Sequence, residues 1–284
     1  MRTPAHASNG VTPEAAPRGR VTFVGAGPGA PDLLTLRGRD RIAAADVVIY
    51  PGSLVPAEVT THAPPDAEVL DSRAQTLEGL ADVYDRARAE GLHVARLASG
   101  DPSLYGALVE QLAEVAVRDL DWEVVAGVSS LGAAAAALGA ELTVPEVAQS
   151  TILTRLATAT PMPEGEDVRA FAAHGTTMAL FLSAKRSKRL EAELRAGGYP
   201  PETPCAVVYR VTWPDEAVHR CRLDELAATL RAGGYVRHTL VLVGDAIGAT
   251  PGATRSHLYD PGFRHHSRLG PAVRATDPGG SGTG

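Results

Sequence analysis

The sequence predicts an α/β protein of two α/β domains, the first with a mainly parallel sheet and the second with a mixed sheet. Short β-rich runs alternate with helical stretches in the first half, and the alternation starts again in the second half. A chain of 284 residues also exceeds the usual size of one domain. The strand runs lack polar alternation, which indicates burial on both faces, as in a parallel sheet covered by helices.

The predicted strands of the first half cover residues 21–24, 47–50, 94–97 and 123–125, and helices are predicted over 76–90 and 107–117. In the second half, strands are predicted over 151–154, 178–183, 206–211, 218–222 and 239–243. Residues 213–216, Trp-Pro-Asp-Glu, are typical of a hairpin turn. The segment Leu-Arg-Ala-Gly-Gly-Tyr occurs at 194–199 and 230–235, where glycine is expected to end a helix.

We expect a first domain over residues 20–142 and a second over 143–248. Residues 1–19 and 249–284 are rich in small residues and proline, and we expect both to be mostly disordered tails. The N-terminal tail has no apolar core of a signal peptide. His265 and His266 lie in the C-terminal tail without further convincing ligands, so no metal site is predicted.

The composition excludes several classes of protein. Hydrophobic residues make up 44% and charged residues 21%, values typical of a folded chain. The formal net charge of −6 argues against a general nucleic-acid binder, and no apolar run is long enough to span a membrane. Cys205 and Cys221 are flanked by apolar residues. Buried thiols in a reducing, cytoplasmic compartment are therefore expected.

A glycine-rich loop, residues 25–29, follows the first predicted strand and suggests close approach of a ligand to the backbone. Asp46 lies about twenty residues further on, as in a dinucleotide fingerprint. However, Pro28 has no N–H for a pyrophosphate, and Asp46 precedes the second strand, whereas a ribose-binding acid should follow it. A nicotinamide or flavin oxidoreductase is therefore a disfavoured alternative, and a tight loop without a ligand is another.

Two further loops of small residues, 98–106 and 126–132, follow predicted strands. Because parallel strands bind ligands beyond their carboxyl ends, we expect all three loops to line one crevice. Gly100 permits close backbone approach, and Asp101 can accept hydrogen bonds from a ribose or an amine. Ser129 and Ser130 could contact the ligand or only cap the following helix.

Taken in order, these segments resemble the tetrapyrrole methylases, the S-adenosylmethionine (SAM) methyltransferases of sirohaem and cobalamin synthesis. The resemblance covers about residues 20–248 and rests on residues 25–29 with 33–35, 45–50, 100–102, 127–130 and 239–244. Residues 50–55, 151–155 with 161–163, and 208–216 resemble a branch that methylates a precorrin in cobalamin synthesis. The ring position and the presence of cobalt in the acceptor stay open.

The resemblance implies two α/β domains with SAM in the cleft between them, S-adenosylhomocysteine as product, a tetrapyrrole acceptor and a homodimer. It places SAM near residues of both halves, namely Pro28, Ser99, Gly100, Asp101, Leu104, Ser129, Ser130, Leu182, Tyr209, Arg210, Val211, Thr239 and Leu240. The acceptor is expected near Ser53, Tyr105 and Arg155. Arg155 follows a strand, and its fork of donors suits a carboxylate of the macrocycle.

The sequence identifies no catalytic acid or base. Uroporphyrinogen methylases carry an acidic residue after the position of Tyr50, whereas this chain has Pro51. The methyl group of SAM is already activated, so alignment with an electron-rich carbon can dominate the reaction. A non-catalytic SAM or tetrapyrrole binder is a third hypothesis. His93, His174 and His238 could be proposed as general bases, but we expect structural roles for all three. The basic cluster is expected to form a solvated helix face and consists of Lys185, Arg186, Lys188 and Arg189.

Overall fold

The computed structural model describes residues 18–250, 252 and 263–264, which form two compact units. The first unit contains residues 18–139 together with Val207–His219 and Leu230–Leu240. The second contains Ala140–Ala206, Arg220–Thr229 and the described residues from 241 onward. The domain boundary placed after residue 142 stays a prediction. Most of the two predicted tails, including His265 and His266, lies outside the described residues.

A five-stranded parallel sheet forms the centre of the first unit. Its strands are β1 (Arg20–Gly25), β2 (Val47–Tyr50), β3 (Glu68–Asp71), β4 (His93–Ala98) and β5 (Asp121–Val125), in the order β3-β2-β4-β1-β5. All adjacent pairs are parallel, as predicted. Strand β3 was not predicted, because this short edge strand is partly exposed and has no continuous apolar run.

Both faces of this sheet are buried under helices. The helices are α1 (Leu36–Ala43), α2 (Leu77–Glu90), α3 (Leu108–Ala116) and α4 (Ser130–Leu138). Phe23 and Ile49 pack on one face with Tyr84 of α2, whereas Val24 and Val48 pack on the other face. This alternation within buried strands explains why β2 is apolar throughout and why β1 and β4 are mostly apolar.

A second sheet is mixed, as predicted. Its strands are β6 (Thr151–Arg155), β7 (Thr177–Phe181), β8 (Pro204–Tyr209), β9 (Ala217–Arg222) and β10 (Thr239–Val243), in the order β6-β7-β10-β8-β9. Strand β6 is parallel to β7, and β7 is antiparallel to β10. The remaining helices are α5 (Val168–Ala172), α6 (Ser187–Ala196) and α7 (Leu226–Ala232). A turn between β8 and β9 closes with a bond from the N–H of Glu216 to the carbonyl of Trp213, 3.0 Å, at the predicted hairpin.

Neither cysteine forms a disulfide. Cys205 is buried and Cys221 is half-buried, and burial raises the pKa of both thiols above the ordinary value. Both are therefore protonated, unreactive thiols at neutral pH. Within the part of the chain that the structure describes, no helix has the length and apolar character needed to cross a membrane.

Candidate functional site

The loops that follow β1, β4 and β5 are joined to one another by hydrogen bonds. Gly27 and Gly100 each donate their N–H to the other's carbonyl oxygen, with N···O distances of 3.2 and 2.8 Å. The N–H of Gly127 donates to Oδ2 of Asp101 at 2.8 Å. Strand β1 lies between β4 and β5, and all three run in the same direction. Their carboxyl ends therefore lie side by side at one end of the sheet. The three loops therefore meet, as predicted, and that they line a crevice for a ligand stays a prediction.

Two glycines at this junction have different surroundings. A Cβ atom on Gly127 would lie 2.1 Å from the carbonyl oxygen of Gly100 and 2.6 Å from Cα of Gly25, so only glycine fits. A Cβ atom on Gly100 would have no neighbour nearer than 3.8 Å. Gly100 has a φ of +65°, which disfavours other residues for a separate reason. A Cβ atom on Gly100 would thus make only ordinary van der Waals contacts, with the backbone of the loop after β5.

Asp101 holds the loops together. Its Oδ1 accepts hydrogen bonds from the backbone N–H of Ser103 at 2.9 Å and from the Ser103 hydroxyl at 2.5 Å, while Oδ2 accepts from Gly127. Burial raises the pKa of Asp101, but these hydrogen bonds outweigh it, so the pKa lies below its usual range. The carboxylate is ionised and is engaged inside the protein. Its contact with a ribose stays a prediction.

The other predicted ligand residues of the first unit's loops have the following positions. The Ser129 hydroxyl accepts from the N–H of Leu131 at 3.2 Å and caps α4, which is the structural alternative that the sequence left open. Ser130 is the first residue of α4. Ser99 and Leu104 are half-buried in the loop after β4, and Tyr105 in the same loop is exposed with a φ of 57°.

The hairpin turn covers the glycine-rich loop. The indole Nε1 of Trp213 donates to the carbonyl oxygen of Pro28 at 3.0 Å, and the N–H of Ala30 donates to the Thr212 hydroxyl at 2.9 Å. A Cβ atom on Gly29 would lie 2.3 Å from Cδ1 of Trp213. The sequence predicts the turn, but not the contacts that Thr212 and Trp213 make with the glycine-rich loop. An aromatic residue in a polar turn needs a packing partner, so a partner for Trp213 could have been expected.

Backbone strain is concentrated beside this hairpin turn. Arg210, Thr212 and His238 have φ values of 46°, 68° and 52°, in the left-handed region that non-glycine residues rarely adopt. The N–H of Arg210 donates to the carbonyl oxygen of His238 at 2.8 Å. The Arg210 guanidinium lies 4.3 Å from the centre of the Trp213 ring and pairs with Asp215 at 2.5 Å. Such strain is found at functional sites, where the surrounding structure maintains it.

The remaining predicted SAM residues near this turn differ in exposure. Val211 and Leu240 are buried, whereas Tyr209 and Thr239 are half-buried. All four belong to the first unit. Their backbone is therefore held beside residues 210–213, and their contact with SAM stays a prediction.

Two predicted site residues belong to the second unit. Leu182 follows β7 with a φ of 53°, and 67% of its surface is exposed, an unfavourable state for a leucine without a partner. Arg155 ends β6 and donates to the carbonyl oxygens of Thr160 at 3.0 Å and Pro161 at 2.9 Å. The Arg155 guanidinium thus holds the loop that follows its strand, and its positive charge is met there by carbonyl groups.

The loop after β2 carries the predicted acceptor residue Ser53. Ser53 is exposed, and its carbonyl oxygen accepts from Nε2 of His238 at 2.7 Å. The N–H of the preceding residue, Gly52, donates to Oδ1 of Asp71 at 3.0 Å. This loop is therefore held by two side chains that come from different parts of the chain.

Asp46 and His93 stabilise the other end of the first sheet, where the parallel strands begin. Asp46 precedes β2, and its carboxylate accepts from the N–H of His93 at 2.7 Å. The His93 ring contacts the Thr22 hydroxyl and the carbonyl oxygen of Ala44, both at 2.9 Å, which confirms its structural role. Asp46 lies at the amino ends of the parallel strands, so it cannot serve the glycine-rich loop as a ribose-binding acid.

His174 and the basic cluster, both expected to be structural, have no arrangement that suggests a site. His174 is exposed after α5. The basic cluster is an exposed surface, as expected for Lys185, Arg186, Lys188 and Arg189. Among residues 18–250, 252 and 263–264, no three histidine, cysteine or acidic side chains are grouped so that they could hold a metal ion.

Comparison with known proteins shows which family contains this arrangement of strands and loops. The model of the family described as Tetrapyrrole (Corrin/Porphyrin) Methylases matches residues 20–227. This chain belongs to the tetrapyrrole methylase family. The match includes every strand of the first sheet and the hairpin turn that covers the glycine-rich loop.

Several members of the tetrapyrrole methylase family are similar over most of their length. A cobalt-precorrin-4 C(11)-methyltransferase of Methanocaldococcus jannaschii is 43% identical over 88% of this chain and 96% of its own. A precorrin-4 C(11)-methyltransferase of Mycobacterium tuberculosis is 44% identical over 84% of this chain and 95% of its own.

Solved structures of family members have the same fold. The structure of a cobalt precorrin-4 methyltransferase of cobalamin biosynthesis has a TM-score of 0.79 at 40% identity, covering 84% of this chain and 99% of that one. A Thermus thermophilus uroporphyrin-III C-methyltransferase, solved in complex with S-adenosylhomocysteine, has a TM-score of 0.66 at 28% identity, covering 81% and 93%.

Proposed function

We propose that this chain is a SAM-dependent C-methyltransferase of cobalamin biosynthesis, which methylates carbon 11 of precorrin-4 to give precorrin-5. One observation carries the proposal. The loops after β1, β4 and β5 are joined to one another in a chain that is 43–44% identical, over 84–88% of its length, to enzymes named for this reaction. The acceptor is a tetrapyrrole, with S-adenosylhomocysteine as the second product.

The residues present fit SAM. Gly100 lies beside the backbone of the loop after β5, and the next residue is the ionised Asp101 carboxylate, a polar setting that suits a sulfonium ligand. Leu182, of the second unit, is exposed with a φ of 53°, and its contact with SAM is part of the proposal. SAM supplies a methyl group that is already activated by the positive charge on its sulfur. The chain's own residues then need to hold the donor and the acceptor in line.

Asp101 is the carboxylate at this site, and it is not suited to remove a proton. A general base works best with a pKa near the operating pH, whereas hydrogen bonds hold the pKa of Asp101 below its usual range. Its two oxygens also keep the loops in place. The proposal therefore assigns this carboxylate to loop geometry, and it assigns the reactivity to the electron-rich acceptor carbon.

Arg155 and the loop after β2 are the proposed contacts with the acceptor. A macrocycle with many carboxylates needs local positive charge on a protein whose formal net charge is −6. The hydrogen bonds of the Arg155 guanidinium go to carbonyl oxygens, which carry no formal charge. Ser53 and Tyr105 are both exposed on loops at the carboxyl edge of the first sheet.

Two measurements test the proposal. Calorimetry should detect binding of SAM, and NADH should not bind. Incubation of precorrin-4 with methyl-labelled SAM should then add the mass of one methyl group, and NMR should locate the label on carbon 11. Cobalt-precorrin-4 is assayed in parallel to identify the accepted form.

Each failure overturns a different part of the proposal. Absence of SAM binding would overturn methyl transfer, and NADH binding in its place would support an oxidoreductase. SAM binding without transfer to either acceptor would leave a non-catalytic binder. Transfer to another carbon or another precorrin would overturn the assigned substrate.

We further propose that the enzyme works as a homodimer, which the family resemblance implies, and in the cytoplasm, whose reducing conditions suit two free cysteines. Sedimentation equilibrium should give a mass of about twice the 29.5 kDa of one chain. A monomer at assay concentration would contradict the dimer without affecting the proposed reaction.

A further inference from the structure

His238 is fixed by its backbone and its ring. Its carbonyl oxygen accepts from the N–H of Arg210, and its φ of 52° turns the side chain away from β10. The imidazole stacks on the Trp213 indole with ring centres 5.6 Å apart and an interplanar angle of 28°. Nε2 then meets the carbonyl oxygen of Ser53 at 2.7 Å. A strained backbone held in this way serves to place a side chain.

The contact to Ser53 determines which ring nitrogen carries the proton. A carbonyl oxygen only accepts hydrogen bonds, so Nε2 of His238 must be the donor. Burial lowers the pKa of His238, Ser53 raises it, Arg210 and Arg237 lower it, and Asp215 raises it, with a net decrease. The neutral form is therefore favoured. Both protonation states carry a proton on Nε2, so the donor to Ser53 is present in each of them.

The residue before Ser53 is also held. Oδ1 of Asp71 accepts from the N–H of Gly52 at 3.0 Å and from the N–H of Arg73 at 2.9 Å. A carboxylate thus holds Gly52 while an imidazole holds the carbonyl of Ser53, the next residue. These bonds restrict the rotation of the backbone from which the exposed side chains of Ser53 and Leu54 project.

The Trp213 ring connects this arrangement to the glycine-rich loop. The same indole that stacks on His238 donates to Pro28. A continuous chain of contacts therefore runs from Ser53 through His238 and Trp213 to Pro28. The loop proposed for the acceptor and a loop proposed for SAM are both held against the hairpin turn.

We propose that His238 is a positioning residue for the acceptor: its Nε2–H fixes the Ser53 carbonyl, and so orients the loop that carries Ser53 and Leu54 toward the tetrapyrrole. The inference rests on the proposed function. It predicts that removal of the donor will impair use of the acceptor and leave SAM binding nearly unchanged.

Two substitutions separate the hydrogen bond from the stacking. His238→Phe keeps an aromatic ring against Trp213 and removes the donor. His238→Gln keeps an N–H donor the same number of bonds from Cα as Nε2 of histidine, and loses the ring. His174→Phe, at an exposed histidine of the second unit, is the matched control.

We expect His238→Phe to lower kcat/KM for the tetrapyrrole about tenfold, the size of one lost hydrogen bond. The Kd for SAM should stay within about twofold, and His238→Gln should recover most of the loss. Equal acceptor kinetics in His238→Phe and wild type would overturn the proposal. An equal loss of SAM affinity, or a loss in His238→Gln as large as in His238→Phe, would also overturn it.

A spectroscopic test needs no substrate. Nitrogen-15 NMR of ring-labelled histidine, assigned with the His238→Gln variant, should show His238 neutral at pH 7.5 with its proton on Nε2. A proton on Nδ1 alone would overturn the proposal. If wild-type enzyme shows the Nε2–H form but does not methylate precorrin-4, the proposed function fails while the placement of His238 stands.

Discussion

The indole nitrogen of Trp213 donates to the carbonyl oxygen of Pro28, although 185 positions separate them in the chain. Pro28 has no N–H of its own, so the proline that argues against pyrophosphate binding instead offers its carbonyl to the hairpin turn. The glycine-rich loop is consequently buried at Gly29, where a Cβ atom would lie 2.3 Å from Cδ1 of the indole.

Gly29→Ala tests the packing of Trp213. The added methyl group would overlap the indole, so unfolding free energy should fall by about 1–3 kcal/mol, as for other overpacked sites. Chemical denaturation measures this value. Gly132→Ala, in α4 with nothing within 4 Å of the added atom, should be neutral or stabilising. The loss should shrink in a Trp213→Ala background, and full additivity would show that the indole does not cause it.

Gly100→Val tests whether SAM lies against the loop junction. The valine methyl groups would project beyond the van der Waals contacts that a Cβ atom makes there, so SAM affinity should fall at least about tenfold in calorimetry. The φ of +65° adds backbone strain, which should cost about 1–2 kcal/mol of stability. Gly139→Val is the matched control, because Gly139 has a φ of +59° and open surroundings at the end of α4. Retained SAM affinity in Gly100→Val, or an equal loss in the control, would place SAM elsewhere.

Asp101→Asn should change stability and its pH dependence. The folded-state pKa lies below the unfolded value of about 3.9, so the carboxylate stabilises the fold above that pH and loses this effect as pH falls through the folded-state pKa. The variant should lose about 1.5–3 kcal/mol at pH 7 and show a flatter decline below about pH 4. Denaturation from pH 3 to 7 measures both, with the exposed Asp66→Asn as control. An unchanged acid limb would refute the role given to the Asp101 hydrogen bonds.

Arg155→Gln tests the proposed contact with acceptor carboxylates. KM for the tetrapyrrole should rise about tenfold, and its dependence on salt should weaken, because one charge that attracts the acceptor is removed. Steady-state kinetics at two ionic strengths measure both effects. Arg189→Gln is a matched control, since Arg189 donates to the carbonyl of Ala157 in the same loop from the exposed face of α6. Equal effects in the two variants would indicate a role in loop structure alone.

The elements that the sequence predicted correctly are those whose signal is local. β2 and β10 match their predicted strands 47–50 and 239–243, and α2 begins one residue after the predicted start because Thr76 is its N-cap. The roles of Asp101 and Ser129 could not be predicted, because either side chain could serve a ligand or its own loop. Only the neighbouring N–H groups of Ser103, Gly127 and Leu131 show the bonds that they make.

The sequence alone determined the class of fold, the loops of glycine and serine after three strands, and the family that their order resembles. Periodicity and the conformational demands of glycine and proline are properties of neighbouring residues, so they can be interpreted along the chain. The tertiary structure decided that β1 lies between β4 and β5, that Trp213 covers Gly29, and that His238 meets Ser53. These contacts join residues far apart in sequence, and they exist only once packing has selected which elements are neighbours.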